Sequence, residues 1–280
     1  MTDSMNLRSI TLNGADIRYV EVGAGEPVVL IHGAISDHRT WQPHREELGR
    51  HVRAIMPDLR YCGTGAWADA GEHYSIQTHA DDIAALIREL SDEPVTLVGW
   101  SHGGAVALTL AVQNPDLVKG LVLYEQSLAT YLTDPEELRQ ATEIRAAALS
   151  GMVAPAKEGD LDAAARAAVA GLNNQQFPFG NLPEWAQQMI LENARTIPLI
   201  GAATMPTVTA DDLRSLNIPV KLVVGGDTVE SYKIVARAAA RLLPNAAMQS
   251  IEGGLHYWVC LEPAAVNRLV LDFVAQHRSA

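Results

Sequence analysis

Gly99-Trp100-Ser101-His102-Gly103 places a serine between two glycines, directly after the apolar run Val95–Val98 and directly before a helical pattern over Ala105–Gln113. A serine on a sharp strand-to-helix turn adopts a strained backbone, and only small neighbours such as Gly99 and Gly103 let the chain pass so closely. The turn lifts the hydroxyl clear of a sheet and leaves the His102 N–H at a helix N-terminus, where developing negative charge is stabilised. The chemistry implied is nucleophilic attack on a carbonyl. A serine hydroxyl is a poor nucleophile at neutral pH and needs a base within hydrogen-bond reach.

Nine histidines compete for that role. His256 lies in a Gly-rich loop, Gly253-Gly254-Leu255-His256, between a strand end at Ile251 and the last helix, so it can return over the carboxyl edge of a parallel sheet. His38, His44, His51, His73, His79 and His277 stand in polar or helical surroundings and are expected at the surface. His102 is expected to act through its backbone donor. A second oxyanion donor fits Ile31-His32-Gly33-Ala34, where the strand ends and Gly33 permits a turn that aims the Ala34 N–H inward. His32 then reads as a structural hydrogen-bonding residue.

These residues need a scaffold, and the chain shows one. Ser9–Leu12 and Ile17–Val22 flank the turn signal Asn13-Gly14. Pro27–Ile31, Arg53–Pro57, Val95–Val98, Gly120–Tyr124 and Val220–Val224 are continuous apolar runs, as expected of strands covered on both faces. Thr78–Leu90 and the final Ala264–His277 carry helical apolar stripes. Strands alternating with helices imply an α/β fold with a mostly parallel sheet and right-handed crossovers. From about residue 128 to 217 the strand rhythm stops. Helical patterns at Pro135–Ser150, Leu161–Gly171 and Pro183–Arg195 fill that stretch, the alanine-dense run 163–170 reading as good helix-forming composition. The division expected is a core of residues 1–127 and 218–280 with an inserted helical lid over 128–217.

The net charge of −12 argues against binding a phosphate backbone, which takes clustered Lys and Arg. Two cysteines, Cys62 and Cys260, make no disulfide framework. No basic segment followed by an apolar stretch opens the chain, and no apolar run reaches a membrane span, so a cytoplasmic enzyme is expected. Neither zinc-ligand spacing nor a phosphate-loop ending is present, and no metal or cofactor is implied.

Across nearly its whole length the chain resembles the α/β-hydrolase superfamily in its lidded branch. The resemblance rests on His32-Gly33 with Trp41 nine residues on, Asp58-x-Arg60-x-x-Gly63-x-Gly65, the serine turn, and Gly254-Leu255-His256. It implies an α/β-hydrolase fold, a Ser…acid…His order, and a structural role for the Asp58–Gly65 loop. Relatives usually place the acid third after a glycine beyond the post-lid strand, where this chain has Thr228, with Asp227 one residue early. Glu125, at the end of Gly120–Tyr124, is favoured instead, because haloalkane dehalogenases and the fungal zearalenone lactone hydrolase carry a glutamate there. Asp227 stays as the alternative. A serine at position 101 excludes the dehalogenase and epoxide-hydrolase chemistries, which use aspartate at that turn.

The implied reaction is hydrolysis of an ester or lactone of a hydrophobic small molecule, through an acyl-enzyme on Ser101 with His256 as base and the His102 and Ala34 N–H groups as oxyanion donors. A carbon–carbon bond hydrolase acting on a diketone would use the same triad, and a non-catalytic ligand receptor on the same scaffold is the reading from another class. Trp100, Trp185, Met189 and Phe177 are the expected substrate-binding residues, with Phe179, Leu199 and Met205 adding apolar lid surface. Tyr257 and Trp258 are expected to anchor the histidine loop. The expected partner is a hydrophobic small molecule, with no nucleic acid and no membrane; a homodimer is allowed.

Overall fold

A computed structural model describes residues 7–175 and 177–277; the first six residues of the opening segment read above lie outside it. β1 (Leu7–Leu12) and β2 (Ala15–Val22) form a hairpin whose two turn residues, Asn13 and Gly14, both take positive φ. That conformation is what an Asn-Gly turn supplies at low cost. β3 (Pro27–Ile31), β4 (Arg53–Pro57), β5 (Val95–Trp100), β6 (Val118–Tyr124), β7 (Val220–Gly225) and β8 (Ala246–Ile251) complete an eight-stranded sheet in the order β1-β2-β4-β3-β5-β6-β7-β8. β1, β2 and β4 pair antiparallel, and every pairing from β4 to β8 is parallel.

The helices in chain order are α1 (Arg45–Gly49), α2 (Ile76–Leu90), α3 (His102–Gln113), α4 (Pro135–Glu158), α5 (Leu161–Leu172), α6 (Glu184–Asn193), α7 (Ile197–Ala202), α8 (Ala210–Ser215), α9 (Glu230–Leu242), α10 (Trp258–Leu261) and α11 (Pro263–Gln276). α2, α3 and α9 cover one face of the sheet, joined there by Leu213 of α8; α10 and α11 cover the other. Burial on both faces explains why β3, β5 and β6 read as unbroken apolar runs. Edge strand β8, Ala-Ala-Met-Gln-Ser-Ile, is half exposed and carries a correspondingly weak sequence signal. α2 starts on Ser75, whose side chain accepts the Thr78 N–H.

Five helices, α4 to α8, separate β6 from β7, and no strand interrupts them among the described residues. α4 runs on to Glu158 through Pro155, eight residues past the expected stop at Ser150. It ends on Gly159 in the left-handed conformation. α4 and α5 pack closely: a Cβ at Gly171 would stand 1.7 Å from the Ala148 carbonyl oxygen, and Ala164, Ala165 and Ala168 are buried. Alanine in this run therefore does more than favour helix; its small side chain sets the spacing. Apolar residues of α5 and α6 join the cluster containing Trp100, Tyr257 and Trp258, so the insertion sits against the end of the sheet where β5 and β6 terminate. Among the described residues no helix is long and apolar enough to cross a membrane.

Candidate active site

β5 and α3 meet at Ser101, which has φ 54° and ψ −115°, a strained conformation for a residue with a Cβ. The surroundings explain why glycines flank it. A Cβ on Gly99 would meet the Gly103 oxygen at 2.6 Å, and one on Gly103 would meet the carbonyl oxygens of Ile31 and His32 at 2.3 Å. Ser101 is 7% exposed, at the head of a helix buried over ten of its residues. The His102 N–H is one of the helix-terminal donors without an intrahelical acceptor. The half-exposed Ala34 follows the Gly33 turn at the end of neighbouring β3, and a Cβ on Gly33 would touch the Trp100 ring at 3.0 Å.

His256 stands on the loop after β8, and its Nδ1–H donates to Glu125 Oε2 at 2.6 Å. Glu125 directly follows β6, with φ 48°, and is 1% exposed. Its Oε2 also accepts the Thr228 hydroxyl at 3.0 Å, and its Oε1 accepts the Gly225 N–H at 2.7 Å. A buried carboxylate with all these donors is held in one orientation and stays available as an acceptor. Asp227 is exposed, and its backbone N–H donates to the Gly254 carbonyl. The alternative acid is thus absent from the partners of His256, and Thr228, at the customary acid position, buttresses Glu125 instead.

The histidine loop is tied down by side chains from the sheet. Trp100 Nε1 donates to the His256 carbonyl at 2.9 Å, the Tyr124 hydroxyl donates to the Leu255 carbonyl, and Asn173 Oδ1 accepts the Tyr257 N–H at 3.4 Å. Tyr257 packs edge-on against both Trp100 and His256, and Trp258 against Tyr124. Trp100 therefore belongs to the core and not to a substrate surface. The two-residue alternation of β5 turns it to the same face as Val98, and it is 1% exposed. Met189 is likewise fully buried, with its sulfur near the Thr40 hydroxyl. Trp185 and Phe177 are half-buried against the same cluster, Phe179 is buried under the Arg166 guanidinium, Leu199 lies on Gly71, and Met205 is exposed.

Tyr232, in the first turn of α9, was not anticipated. Its ring stacks on the His256 imidazole, with centroids 4.6 Å apart and planes at 11°, and its hydroxyl is 3.4 Å from Nε2. Burial raises the Tyr232 pKa, so the phenol keeps its proton. An aromatic one turn into the helix after β7 is the only sequence cue, and it is an ordinary one.

Three of the histidines expected at the surface are buried. His38 Nδ1 is hydrogen-bonded to Asp58 Oδ1 at 2.6 Å, His44 bridges Asn267 and the Val259 carbonyl, and His79 Nδ1 is 3.0 Å from His102 Nε2. His51, His73 and His277 are exposed as expected. Burial drives the His79 pKa well down and that of His102 to about 3, so this pair is neutral. His32 accepts the Leu59 N–H on Nε2 and directs Nδ1 to the Gly33 carbonyl, which fixes the Gly33 turn. Asp58 pairs with Arg18 of β2 and Arg60 with Asp82 of α2, so both brace the loop after β4. Asp37, His38 and Asp58 bring metal-ligand atoms within 4.8 Å of one another, but Arg39 and Arg18 already neutralise the two carboxylates. That donor set suits an ion-pair network better than a cation.

A hydroxyl on a strained turn at a helix N-terminus and an imidazole oriented by a buried carboxylate can together carry out acyl transfer. The chain belongs to the α/β-hydrolase fold family, whose sequence model matches residues 26–263. It is 28% identical to a 2-(acetamidomethylene)succinate hydrolase of Mesorhizobium japonicum over 98% of this chain and 96% of that one. It is 35% identical to a 2-hydroxy-6-oxo-2,4-heptadienoate hydrolase of Pseudomonas putida over 119 residues, a match spanning only 43% of that relative. Among solved structures, a putative aryl esterase of Burkholderia cenocepacia superposes with a TM-score of 0.75 at 24% identity, covering 97% of this chain and 98% of that one. Esterase RhEst1 of a Rhodococcus species gives 0.74 at 22%, covering 98% and 100%. The protein is a hydrolase of this fold.

Proposed function

We propose that the protein cleaves a carboxylic ester or lactone through an acyl-enzyme on Ser101. The observation that carries this reading is the buried Glu125–His256 contact at 2.6 Å beside the strained Ser101 turn. In the proposed cycle His256 Nε2 takes the Ser101 proton as Oγ attacks the carbonyl carbon. The N–H groups of His102 and Ala34 hold the oxyanion, and Glu125 stabilises the imidazolium. His256 then returns the proton to the departing alkoxide, leaving an acyl-serine. Water, deprotonated by His256, releases the acid and restores Ser101. For a lactone, the leaving alkoxide stays tethered to the acyl group.

Cleavage of a carbon–carbon bond in a diketone is the second reading. It is favoured by the P. putida relative, whose name places it on an oxo-dienoate. Both readings use Ser101, His256 and Glu125. The half-buried Trp185 and Phe177 and the neighbouring apolar cluster support a substrate with a hydrophobic portion.

The test is turnover of activated aryl esters, aromatic lactones and a vinylogous diketone acid by wild type and Ser101→Ala. Ester or lactone turnover that vanishes in Ser101→Ala is the expected result. Turnover of the diketone alone moves the second reading ahead. Binding of these compounds without turnover would overturn both in favour of a ligand receptor.

A further inference from the structure

Among the described residues three aromatic side chains stand against the His256 imidazole, and one of them lies parallel to it. Trp100 of β5 is tilted by 44° and Tyr257 of the same loop stands at 84°. The Tyr232 plane differs by only 11°, at a centroid separation of 4.6 Å. Rings this parallel and this close must lie one above the other. The Tyr232 hydroxyl, 3.4 Å from Nε2, therefore approaches that nitrogen from above the ring and not along its in-plane lone pair. The lone pair stays open to the Ser101 hydroxyl, while the phenol covers the end of the imidazole that must take up a proton.

The chain segment that carries Tyr232 also serves the opposite end of the ring. The Gly225 N–H and the Thr228 hydroxyl donate to Glu125, which holds Nδ1; α9 begins two residues later and lays Tyr232 over Nε2. The Lys233 ammonium donates to the Gly226 carbonyl at 2.6 Å, pinning the first turn of α9 to the loop before it. Tyr232 and His256 are both buried. A cation over an aromatic face, within about 6 Å of the centroid, is attracted by the quadrupole of the ring, most strongly where water is excluded. A neutral imidazole gains far less from that face, so the contact favours the protonated form. Of the side chains against the imidazole, Glu125 carries the only charge, because burial raises the pKa of the Tyr232 and Tyr257 phenols and both stay neutral. We propose that Tyr232 is a positioning residue that holds the His256 imidazole face-on and selectively stabilises the imidazolium formed while the serine proton is in transit. This inference rests on the serine-hydrolase reading for the rate, but not for the protonation of His256.

The test compares Tyr232→Phe with pentafluorophenylalanine at the same position, a ring of nearly the same shape whose face is electron-poor. Wild type and both variants are assayed for kcat/KM against pH on one activated aryl ester, with thermal melts to verify folding. Relative to Tyr232→Phe, the fluorinated ring should move the acid limb about half to one pH unit lower and reduce the plateau about three- to tenfold. A side chain that merely fills space would leave the limb in place, so two variants sharing one acid limb would overturn the proposal. Following the His256 imidazole by NMR across pH, with Ser101→Ala added to each variant, separates the two claims. A lower midpoint with the fluorinated ring supports the proposal even if wild type turns nothing over, which would sink the hydrolase reading alone. An unmoved midpoint, with wild type active, overturns the role of Tyr232 alone.

Discussion

Replacing Glu125 with glutamine changes one atom in the buried cluster and should nearly silence the enzyme. The Gly225 N–H donates to Oε1 at 2.7 Å, so the amide oxygen of the variant keeps that place and the NH2 group takes the place of Oε2. There it faces the Thr228 hydroxyl and His256 Nδ1. The hydroxyl can rotate to accept. The imidazole must instead present a lone pair at Nδ1, which moves its proton to Nε2, the nitrogen that has to receive the Ser101 proton. Loss of the correct tautomer and of the charge that stabilises the imidazolium is worth about ten-thousandfold in kcat, or roughly 5.5 kcal/mol of transition-state stabilisation. Folding should suffer less, by about 1 to 2 kcal/mol, because the new amide protons find acceptors in the Thr228 hydroxyl and His256 Nδ1 and only the Thr228 O–H loses its partner. Asp227→Asn, on an exposed side chain, should stay within about twofold of wild type. Steady-state kinetics on one activated ester, with thermal melts to verify folding, decide the matter. Glu125→Gln retaining a tenth of wild-type activity, or Asp227→Asn falling as far as Glu125→Gln, would refute the reasoning.

The neutral His79–His102 pair makes stability sensitive to acid. His102 ionises near 6.5 in the unfolded chain but is held to about 3 when folded, so between those values the unfolded state binds the extra proton. Stability should therefore be full above about pH 6.5 and fall with acidification, by up to about 1.4 kcal/mol per pH unit for this group. Urea midpoints that do not fall between pH 7 and 5 would contradict it. Gly103→Ala puts a methyl 2.3 Å from two backbone oxygens and should cost about 3 kcal/mol or more in thermal melts, while Gly201→Ala, with open space around it, should be nearly silent. Trp100→Phe leaves the buried His256 carbonyl without its donor, so a loss of about 1 to 3 kcal/mol in denaturant stability is expected together with reduced activity.

Much of the fold was legible because burial on two faces writes itself into β3, β5 and β6 as unbroken apolar runs, and the serine turn announces itself through its glycines. What the sequence left open depends on side-chain direction and on long-range approach. Glu125 and Asp227 both follow strand ends, and only the approach of His256, Thr228 and the Gly225 N–H to Glu125 separates them. Trp100 is adjacent to the serine in sequence, yet strand alternation turns it into the core. His38, His44 and His79 look polar by neighbourhood, but their partners lie as far away as Asn267. Tyr232 reads as an ordinary residue of an amphipathic helix, and nothing local shows that α9 lays it against His256.

The central claim, that Ser101 is an activated nucleophile, is tested most directly by intact-mass spectrometry after exposure to a fluorophosphonate. One phosphonyl group per chain, on the peptide containing Ser101 and absent from Ser101→Ala, is the expected result. A wild-type protein that stays unlabelled, or a Ser101→Ala variant that labels equally, would contradict it.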